Sequence, residues 1–154
     1  MGLFSKKIVD FAAPFGGKIL RIEDVPDKVF SEKMMGEGFA VEFDDNYVYA
    51  PFDAEVITVF RTGHAIGLKS KDYEVLIHVG LETVHLNGEC FEILVQTNDR
   101  VKKGDKLIKV DTQYIRNRNL SLISPVVFTD DSRVKVKNPG QFIKALDTNI
   151  IDIK

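Results

Sequence analysis

Short runs of alternating apolar and polar residues, separated by turn-forming residues, follow one another along most of the chain. Runs of this length and period are typical of strands that bury one face, and their close spacing predicts an antiparallel sandwich or barrel. The runs predicted to be strands are residues 18–22, 39–43, 47–50, 55–60, 65–69, 74–79, 91–96, 106–110, 126–129 and 150–153. The pattern therefore predicts an all-β fold, an antiparallel β-sandwich.

Helical segments are predicted to be few and short. The best candidate is residues 112–119, where Asp111 can cap the first turn. Residues 26–35 are expected to add a helical turn or two, and residues 139–145 fit either a helix or a strand. We expect one or two short helical segments beside the strands.

A weak internal repeat appears when residues 13–19 (APFGGKI) are set beside residues 50–56 (APFDAEV). In both copies a proline and a turn stand immediately before a β-rich run, so we expect equivalent corners of a pseudo-symmetric sandwich. Ser124-Pro125 is a candidate for a third corner. Residues 101–107 predict a tight polar turn in which Gly104 supplies a positive φ.

Composition narrows the class of protein. A chain of 154 residues, 44% of them hydrophobic, predicts a single domain at 13–154 behind a flexible N-terminal segment at 1–12. A net charge of -2 with both signs interspersed gives no field that would attract nucleic acid. No apolar run approaches the roughly 20 residues of a membrane span, and Cys90 is the only cysteine. We expect a cytoplasmic protein without an integral membrane segment.

Histidine is the remaining candidate for chemistry, because the phosphate-binding glycine loops and the serine-hydrolase elbow are missing from the sequence. Residues 74–81 predict a central strand, in which Leu76 and His78 share the face opposite Val75, Ile77 and Val79. A histidine on such a strand is more often a hydrogen-bonded structural residue than a catalytic one. Taken alone, His78 therefore leaves both interpretations open.

A second histidine favours a functional role. Thr62 and His64 stand two residues apart where one predicted strand turns into the next, so their side chains can face the same side. A pair of imidazoles suits phosphoryl transfer, because one neutral nitrogen can attack phosphorus while the other ring donates a hydrogen bond to the phosphoryl oxygens. The third histidine, His85, is interpreted as a surface or packing residue.

These segments resemble a known family. Residues 26–40, ending in MMGEGFA, together with 62–68 (TGHAIGL) and 76–84 (LIHVGLETV), closely resemble the glucose-type enzyme IIA of the bacterial sugar phosphotransferase system. Residues 124–127 (SPVV) extend the likeness, which covers nearly the whole chain from about Ala13. The resemblance implies an antiparallel β-sandwich, in agreement with the strand pattern.

The resemblance also implies a mechanism. His78 is expected to receive a phosphoryl group from the histidine-containing phosphocarrier protein and to pass it to a cysteine on the IIB domain of a sugar permease. His64 is expected to orient and stabilise that group, and Thr62 to fix the tautomer of His64 by a hydrogen bond. The family further implies possible regulatory protein targets, signalled through the phosphorylation state.

A docking face is expected around the two imidazoles, with apolar side chains at its centre and carboxylates at its rim. Its expected members are Glu37, Phe39, Phe60, Leu76, Glu82 and Val84. The sequence departs from the family at Asp72, which replaces a frequent glycine, and at Glu37 and Glu82, which replace frequent aspartates. Both replacements keep the carboxylate, so docking to an arginine-bearing partner is expected to tolerate them.

Two other classes of function compete with a phosphoryl carrier. A zinc enzyme would use His64 and His78 with a third ligand, yet the sequence has no spacing that supplies three ligands, so we expect no required cofactor and zinc only together with a partner's ligand. A pure interaction module, regulatory or carbohydrate-binding, would keep the histidines as structural residues. The carbohydrate variant is disfavoured because the chain has no Trp.

Overall fold

Antiparallel strands provide most of the secondary structure in the computed structural model, which describes residues 11–154. The strands in chain order are β1 (Gly17–Arg21), β2 (Glu37–Phe43), β3 (Tyr47–Tyr49), β4 (Ala54–Val59), β5 (Ala65–Lys69), β6 (Glu74–His78), β7 (Phe91–Ile93), β8 (Arg100–Val101), β9 (Lys106–Val110), β10 (Ile123–Phe128), β11 (Val134–Val136), β12 (Phe142–Ile143) and β13 (Ile151–Ile153). Every predicted strand has a counterpart among them. The strands β8, β11 and β12 lie outside the predicted runs, and each is only two or three residues long.

The strands form one large and two small sheets. The large sheet has the order β12-β1-β2-β10-β6-β5-β4-β8, while β3-β9-β7 and β11-β13 are the small sheets. All the pairings between these strands are antiparallel. One buried cluster joins the three sheets, with Phe39, Val48 and Ile151 as one member from each. The prediction of an all-β antiparallel sandwich is confirmed.

The helical segments are as short as the sequence predicts. Helix α1 spans Lys28–Ser31 and α2 spans Thr112–Asn117, and single 3₁₀ turns occupy Ile22–Asp24 and Thr83–Leu86. The expected cap of α2 is present, because the Asp111 carboxylate accepts a hydrogen bond from the backbone N–H of Tyr114. The ambiguous segment 139–145 contains the edge strand β12.

The two predicted proline corners are hydrogen-bonded to each other. The backbone N–H of Ala12 donates to the carbonyl of Pro51 at 2.9 Å, and that of Tyr49 donates to the carbonyl of Pro14 at 2.7 Å. Each corner thus accepts from the segment that leads into the other. This reciprocal pair of bonds confirms the pseudo-symmetric relation between the two repeats.

A turn with the pattern Lys-x-x-Asp supports each corner. At the second corner, Gly104 donates its N–H to the carbonyl of Ala50, and Ala50 donates in turn to the carbonyl of Asp105. Within this turn the Asp105 carboxylate accepts from the N–H of Lys102 at 2.9 Å. Gly104 has a φ of 93°, as the sequence predicts for the 101–107 turn.

The first corner repeats this arrangement with a different residue at the strained position. Leu146 donates to the carbonyl of Ala13, Ala13 donates to that of Asp147, and the Asp147 carboxylate accepts from Lys144 N–H. Leu146 therefore occupies the place of Gly104, and its φ is 70°. A left-handed conformation costs a residue with a β-carbon roughly 1–2 kcal/mol. Strain is thus stored at one of two otherwise equivalent turns.

Two expectations from the sequence are wrong in detail. Ser124-Pro125 is not a third corner, because both residues lie inside β10, where Ser124 and Pro125 pair with Val41 and Ala40 of β2. The expected boundary at residue 13 also moves, because Phe11 and Ala12 are almost completely buried. The ring of Phe11 packs within 5.9 Å of Phe39. Residues 1–10 of the expected flexible segment lie outside the described residues.

We expect Leu146→Gly to have a free energy of unfolding about 0.5–1 kcal/mol higher than that of Leu146→Ala, because relief of the left-handed backbone exceeds the extra entropy of the unfolded chain. Leu146 is 39% exposed, and both variants lose its partly buried side chain, so the comparison between them isolates the effect of the backbone. Ala145→Gly, one position earlier and without a positive φ, is the matched control and is expected to destabilise. Urea denaturation measures all three variants, and a Leu146→Gly protein that is no more stable than Leu146→Ala contradicts the prediction.

Candidate functional site

The pairing of β5 with β6 brings two histidines together. His78, the last residue of β6, lies opposite Ala65, the first residue of β5, and the N–H of Val79 donates to the carbonyl of His64 at 2.7 Å. The two imidazole centroids are 4.9 Å apart with an angle of 72° between the rings. Both histidines therefore face the same side of the large sheet, although 14 positions separate them in the sequence.

His78 is held by a backbone carbonyl. Its Nδ1 lies 2.7 Å from the carbonyl oxygen of Gly80. A carbonyl oxygen can only accept, so this hydrogen bond requires a proton on Nδ1. In the neutral ring, Nε2 then carries the lone pair, which makes Nε2 the nucleophilic atom of His78.

His64 is held by a side-chain hydroxyl. Its Nδ1 lies 2.5 Å from Thr62 Oγ1, and the imidazole is only 4% exposed. If the hydroxyl donates to Nδ1, the neutral ring carries its proton on Nε2 and can donate from there. The family resemblance led us to expect a hydrogen bond between Thr62 and His64, and the two side chains do lie within hydrogen-bond distance.

The surroundings of both rings favour their neutral forms. Burial lowers the pKa of His64 from 6.5 to about 4, with a smaller contribution from the neighbouring His78. Burial also lowers the pKa of His78, while the bond to the Gly80 carbonyl and the negative charge of Asp27 act in the opposite direction. At neutral pH the site therefore holds two uncharged imidazoles.

Apolar side chains surround the pair. The Phe60 ring lies 5.2 Å from His64 and is 41% exposed, and the Phe30 ring lies 5.5 Å from His78. Leu76 is half-buried on the same face as His78 and packs against the small cluster that contains Phe30. Val84, in the 3₁₀ turn after His78, is also 41% exposed. Exposed apolar groups therefore lie beside chemically competent rings, an arrangement typical of protein-binding surfaces.

The two expected rim carboxylates lie in different environments. Glu82 is exposed and immediately precedes the 3₁₀ turn Thr83–Leu86. Glu37 is in register with Phe128 of β10 and Val75 of β6, and its side chain accepts a hydrogen bond from the N–H of Val134. By strand alternation, Glu37 projects from the face of the large sheet opposite to that of His78. The expectation that Glu37 borders the two imidazoles is wrong.

Phe39 also falls outside the expected docking face. It is fully buried, lies in register with Val126 and through it with Ile77, and belongs to the central core. Residues paired across a sheet share a face, so Phe39 lies on the core face of the large sheet, opposite to the face that carries His78. A side chain with no accessible surface cannot contact a partner, and Phe39 is therefore a core residue.

Sequence reasoning missed three residues that surround His78. The Phe30 ring packs against the His78 ring, the negative charge of Asp27 acts to raise the pKa of His78, and the Gly80 carbonyl accepts a hydrogen bond from it. The signal for Asp27 was present, because it caps α1 by accepting from the N–H of Val29 at 2.9 Å. Phe30 follows in the same predicted helical turn. Nothing in the sequence indicated that this turn would lie against His78.

A zinc site at His64 and His78 has no third ligand in the part of the chain that the structure describes. Among residues 11–154 no three His, Cys, Asp or Glu side chains are arranged to hold a metal ion. Cys90 is buried, and burial raises the pKa of its thiol to about 11, which disfavours the thiolate that metals bind. None of the described helices is long and apolar enough to cross a membrane.

Comparison with known proteins gives a consistent result. Residues 9–134 match the family described as phosphoenolpyruvate-dependent sugar phosphotransferase system, EIIA 1. The chain is 40% identical over 151 residues to the PTS system glucose-specific EIIA component of Staphylococcus epidermidis, covering 96% of this chain and 90% of the relative. A PTS system glucose-specific EIICBA component of Staphylococcus carnosus is 54% identical over 119 residues, which are 77% of this chain and 18% of that protein.

A solved structure agrees with the sequence relatives. The glucose permease IIA from Mycoplasma capricolum superposes with a TM-score of 0.80 at 34% identity, over 99% of both chains. The two imidazoles therefore lie on a β-sandwich of the same fold as this glucose permease IIA, in agreement with the family match and the sequence relatives. The chain thus belongs to the EIIA 1 family of the phosphoenolpyruvate-dependent sugar phosphotransferase system, where it serves as a phosphotransferase component that carries phosphoryl groups.

Proposed function

We propose that His78 is the phosphoryl acceptor and that Nε2 is the atom that bonds to phosphorus. The hydrogen bond from Nδ1 to the Gly80 carbonyl carries this proposal, because it leaves Nε2 as the unprotonated nitrogen. The lowered pKa of His78 supports it further, since a neutral imidazole is the nucleophilic form. The donor is the histidine-containing phosphocarrier protein, and the acceptor is a cysteine on the IIB domain of a sugar permease.

The transfer is a displacement at phosphorus. The Nε2 lone pair of His78 forms the new P–N bond, the P–N bond of the donor phosphohistidine breaks, and its electron pair returns to the donor ring. In the second half of the cycle a cysteine thiolate of the IIB domain attacks the same phosphorus. The P–N bond to His78 then breaks, and Nε2 recovers its lone pair. No proton has to leave Nδ1 in either step.

His64 is proposed to stabilise the transferring group. With the Thr62 hydroxyl donating to its Nδ1, the neutral ring presents Nε2–H toward the space above His78. That N–H can donate to a phosphoryl oxygen, whose negative charge strengthens the bond. The pKa of about 4 means that His64 needs no counter-ion when the site is empty.

The partners are proposed from chemistry and from the relatives. Phe60, Leu76 and Val84 provide the apolar centre of the docking face, with Glu82 as a carboxylate that attracts a basic partner. The EIICBA name of the Staphylococcus carnosus protein supports a IIB domain as acceptor, and the glucose-specific relatives support a glucose-type permease. A cytoplasmic location belongs to the same proposal. Regulatory targets and a shared zinc ion rest on the family resemblance alone and form no part of it.

We expect His78→Gln to abolish phosphorylation, because it removes the nucleophile. His64→Gln is expected to accept phosphate but to pass it to the IIB domain at least about tenfold more slowly, since a charge-stabilising donor is lost. The exposed His85 provides the matched control, and His85→Gln is expected to behave as the parent. Incubation with phosphoenolpyruvate, enzyme I and the phosphocarrier, followed by mass spectrometry, locates the acid-labile phosphate. Normal labelling of His78→Gln contradicts the assignment.

The lowered pKa of His64 predicts a specific pH dependence of stability. Between pH 6.5 and about 4 the unfolded chain binds a proton at this residue and the folded chain does not. The contribution to stability is therefore complete above pH 6.5 and is lost as the pH falls toward 4, by an amount on the order of 2 kcal/mol. His64→Gln is expected to flatten this part of the profile and His85→Gln to preserve it. Urea denaturation across the pH range measures the difference, and identical slopes in all three proteins would refute it.

Glu82 and Glu37, the two carboxylates expected at the rim from the sequence, give a charge test of the docking face. Glu82→Lys is expected to slow phosphate uptake from the phosphocarrier severalfold at low salt, because electrostatic attraction raises association rates. Glu37→Lys makes the same charge change on the opposite face of the sheet and is expected to leave the rate unchanged. Stopped-flow transfer across a salt series measures both. Equal effects of the two substitutions would show that the overall charge, rather than a local face, governs association.

A further inference from the structure

Two buried hydroxyls bind the two ends of one peptide unit beside His78. The carbonyl of Val79 and the N–H of Gly80 belong to the same peptide group. The carbonyl accepts a hydrogen bond from Thr83 Oγ1, and the N–H donates to Ser124 Oγ at 3.0 Å. Both hydroxyl-bearing side chains are fully buried, at 0% exposure. The plane of this peptide is therefore fixed from two sides.

The Ser124 hydroxyl has its direction set by a second bond. Its Oγ donates to the carbonyl of Leu122 at 2.9 Å, so that a lone pair is left to face the N–H of Gly80. The neighbouring Pro125 has no N–H to offer, and the ladder between β10 and β6 begins only at the pair Val126–Ile77. Ser124 thus supplies, through its side chain, the link between β10 and the segment that follows β6.

Gly80 connects this fixed peptide to the carbonyl that accepts the hydrogen bond from His78. Its φ of 76° turns the chain so that its own carbonyl lies 2.7 Å from His78 Nδ1. The space around its α-carbon is filled, because a β-carbon at this position would lie 2.5 Å from Thr83 Cγ2. A change in the φ of Gly80 would carry its carbonyl away from Nδ1, and both hydroxyls hold the peptide plane that sets this φ.

We propose that Thr83 and Ser124 are positioning residues, a hydroxyl clamp on the Val79–Gly80 peptide that keeps the Gly80 carbonyl on His78 Nδ1 and thereby keeps the lone pair on Nε2. The clamp acts through Gly80 and touches neither the phosphoryl group nor a partner. The inference rests on the proposed role of His78. It assigns a task to the Ser124-Pro125 motif, which the sequence pattern had suggested as a turn.

The competing explanation is that both hydroxyls only satisfy buried backbone groups. Removal of either hydroxyl would then lower stability, as the loss of any buried hydrogen bond does, without changing His78. Thr112 offers a matched control for this effect, because its Oγ1 donates to the carbonyl of Asp45 at 2.6 Å and its side chain is 8% exposed. Thr112→Val therefore removes a comparable bond from α2, outside the histidine site.

The decisive measurement is the tautomer of His78 in the unphosphorylated protein, read from the ¹⁵N chemical shifts of its ring nitrogens at neutral pH. The parent and Thr112→Val are expected to give the Nδ1–H pattern. Ser124→Ala and Thr83→Val are expected to shift both nitrogens toward the average of two tautomers. Ser124→Thr keeps a hydroxyl and is expected to restore the parent pattern. Parent-like shifts in both Ser124→Ala and Thr83→Val overturn the proposal.

Transfer kinetics provide a second readout. The clamp predicts that Ser124→Ala lowers kcat for phosphate uptake about tenfold and leaves KM for the phosphocarrier unchanged, as is typical when an outer-shell partner of an active group is lost. A rise in KM alone would mean that the loop serves docking, and it would overturn the proposal. If Ser124→Ala does not fold, the shifts and the kcat of Thr83→Val decide the question in the same way.

The clamp and the proposed function fail in different ways. Failure of the parent protein to be phosphorylated at His78 would refute the proposed function, while the tautomer comparison among the variants would remain valid. Unchanged tautomers together with normal phosphorylation of His78 would refute the clamp alone.

Discussion

The register between β5 and β6 is the constraint on which the site depends. Because strand neighbours alternate between faces, the pairing of Ala65 with His78 places Ile77 in the core and the imidazole on the other side. A slip of one residue would bury His78 in the position of Ile77 and expose the apolar chain. The cost of exposing the buried Val75 and Ile77 of β6, about 1.5–3 kcal/mol for each such side chain, opposes that slip. Core packing therefore fixes the distance between the two imidazoles.

Alternation along one strand could be predicted from the sequence, whereas relations between strands could not. Residues 74–79 gave the correct face for His78, and the repeated proline segments gave the paired corners. Phe39 was assigned to the wrong face because it directly follows the segment Gly36-Glu37-Gly38, whose carboxylate was also expected at the docking face. Its position is decided by pairing with Val126, which is 87 residues away in the sequence. Long-range register is set by the whole core, and no local pattern encodes it.

The same limit explains the groups that sequence reasoning missed around His78. Gly80 was visible as part of the motif, but its role depends on Ser124 Oγ, which reaches it from β10 across 44 positions. Asp27 and Phe30 reach the ring from a helix of four residues whose cap was predictable and whose packing was not. Ser124-Pro125 looked like a turn because proline is disfavoured within a sheet. In the structure, β10 accommodates this proline where its ladder with β6 has not yet begun.

Burial at this site serves chemistry as much as stability. A carrier needs neutral imidazoles, and removal from water favours the neutral form without any added charge, as the lowered pKa of both histidines reflects. The site is buried by the protein on one side only, and on the other side Phe60 and Val84 remain partly exposed to solvent. A docking partner that covers these side chains would exclude the remaining water during transfer, which would strengthen the proposed hydrogen bond from His64 to the phosphoryl group. The exposed apolar side chains and the neutral rings thus both follow from partial burial, and we expect the site to lose its remaining water only while a partner is bound.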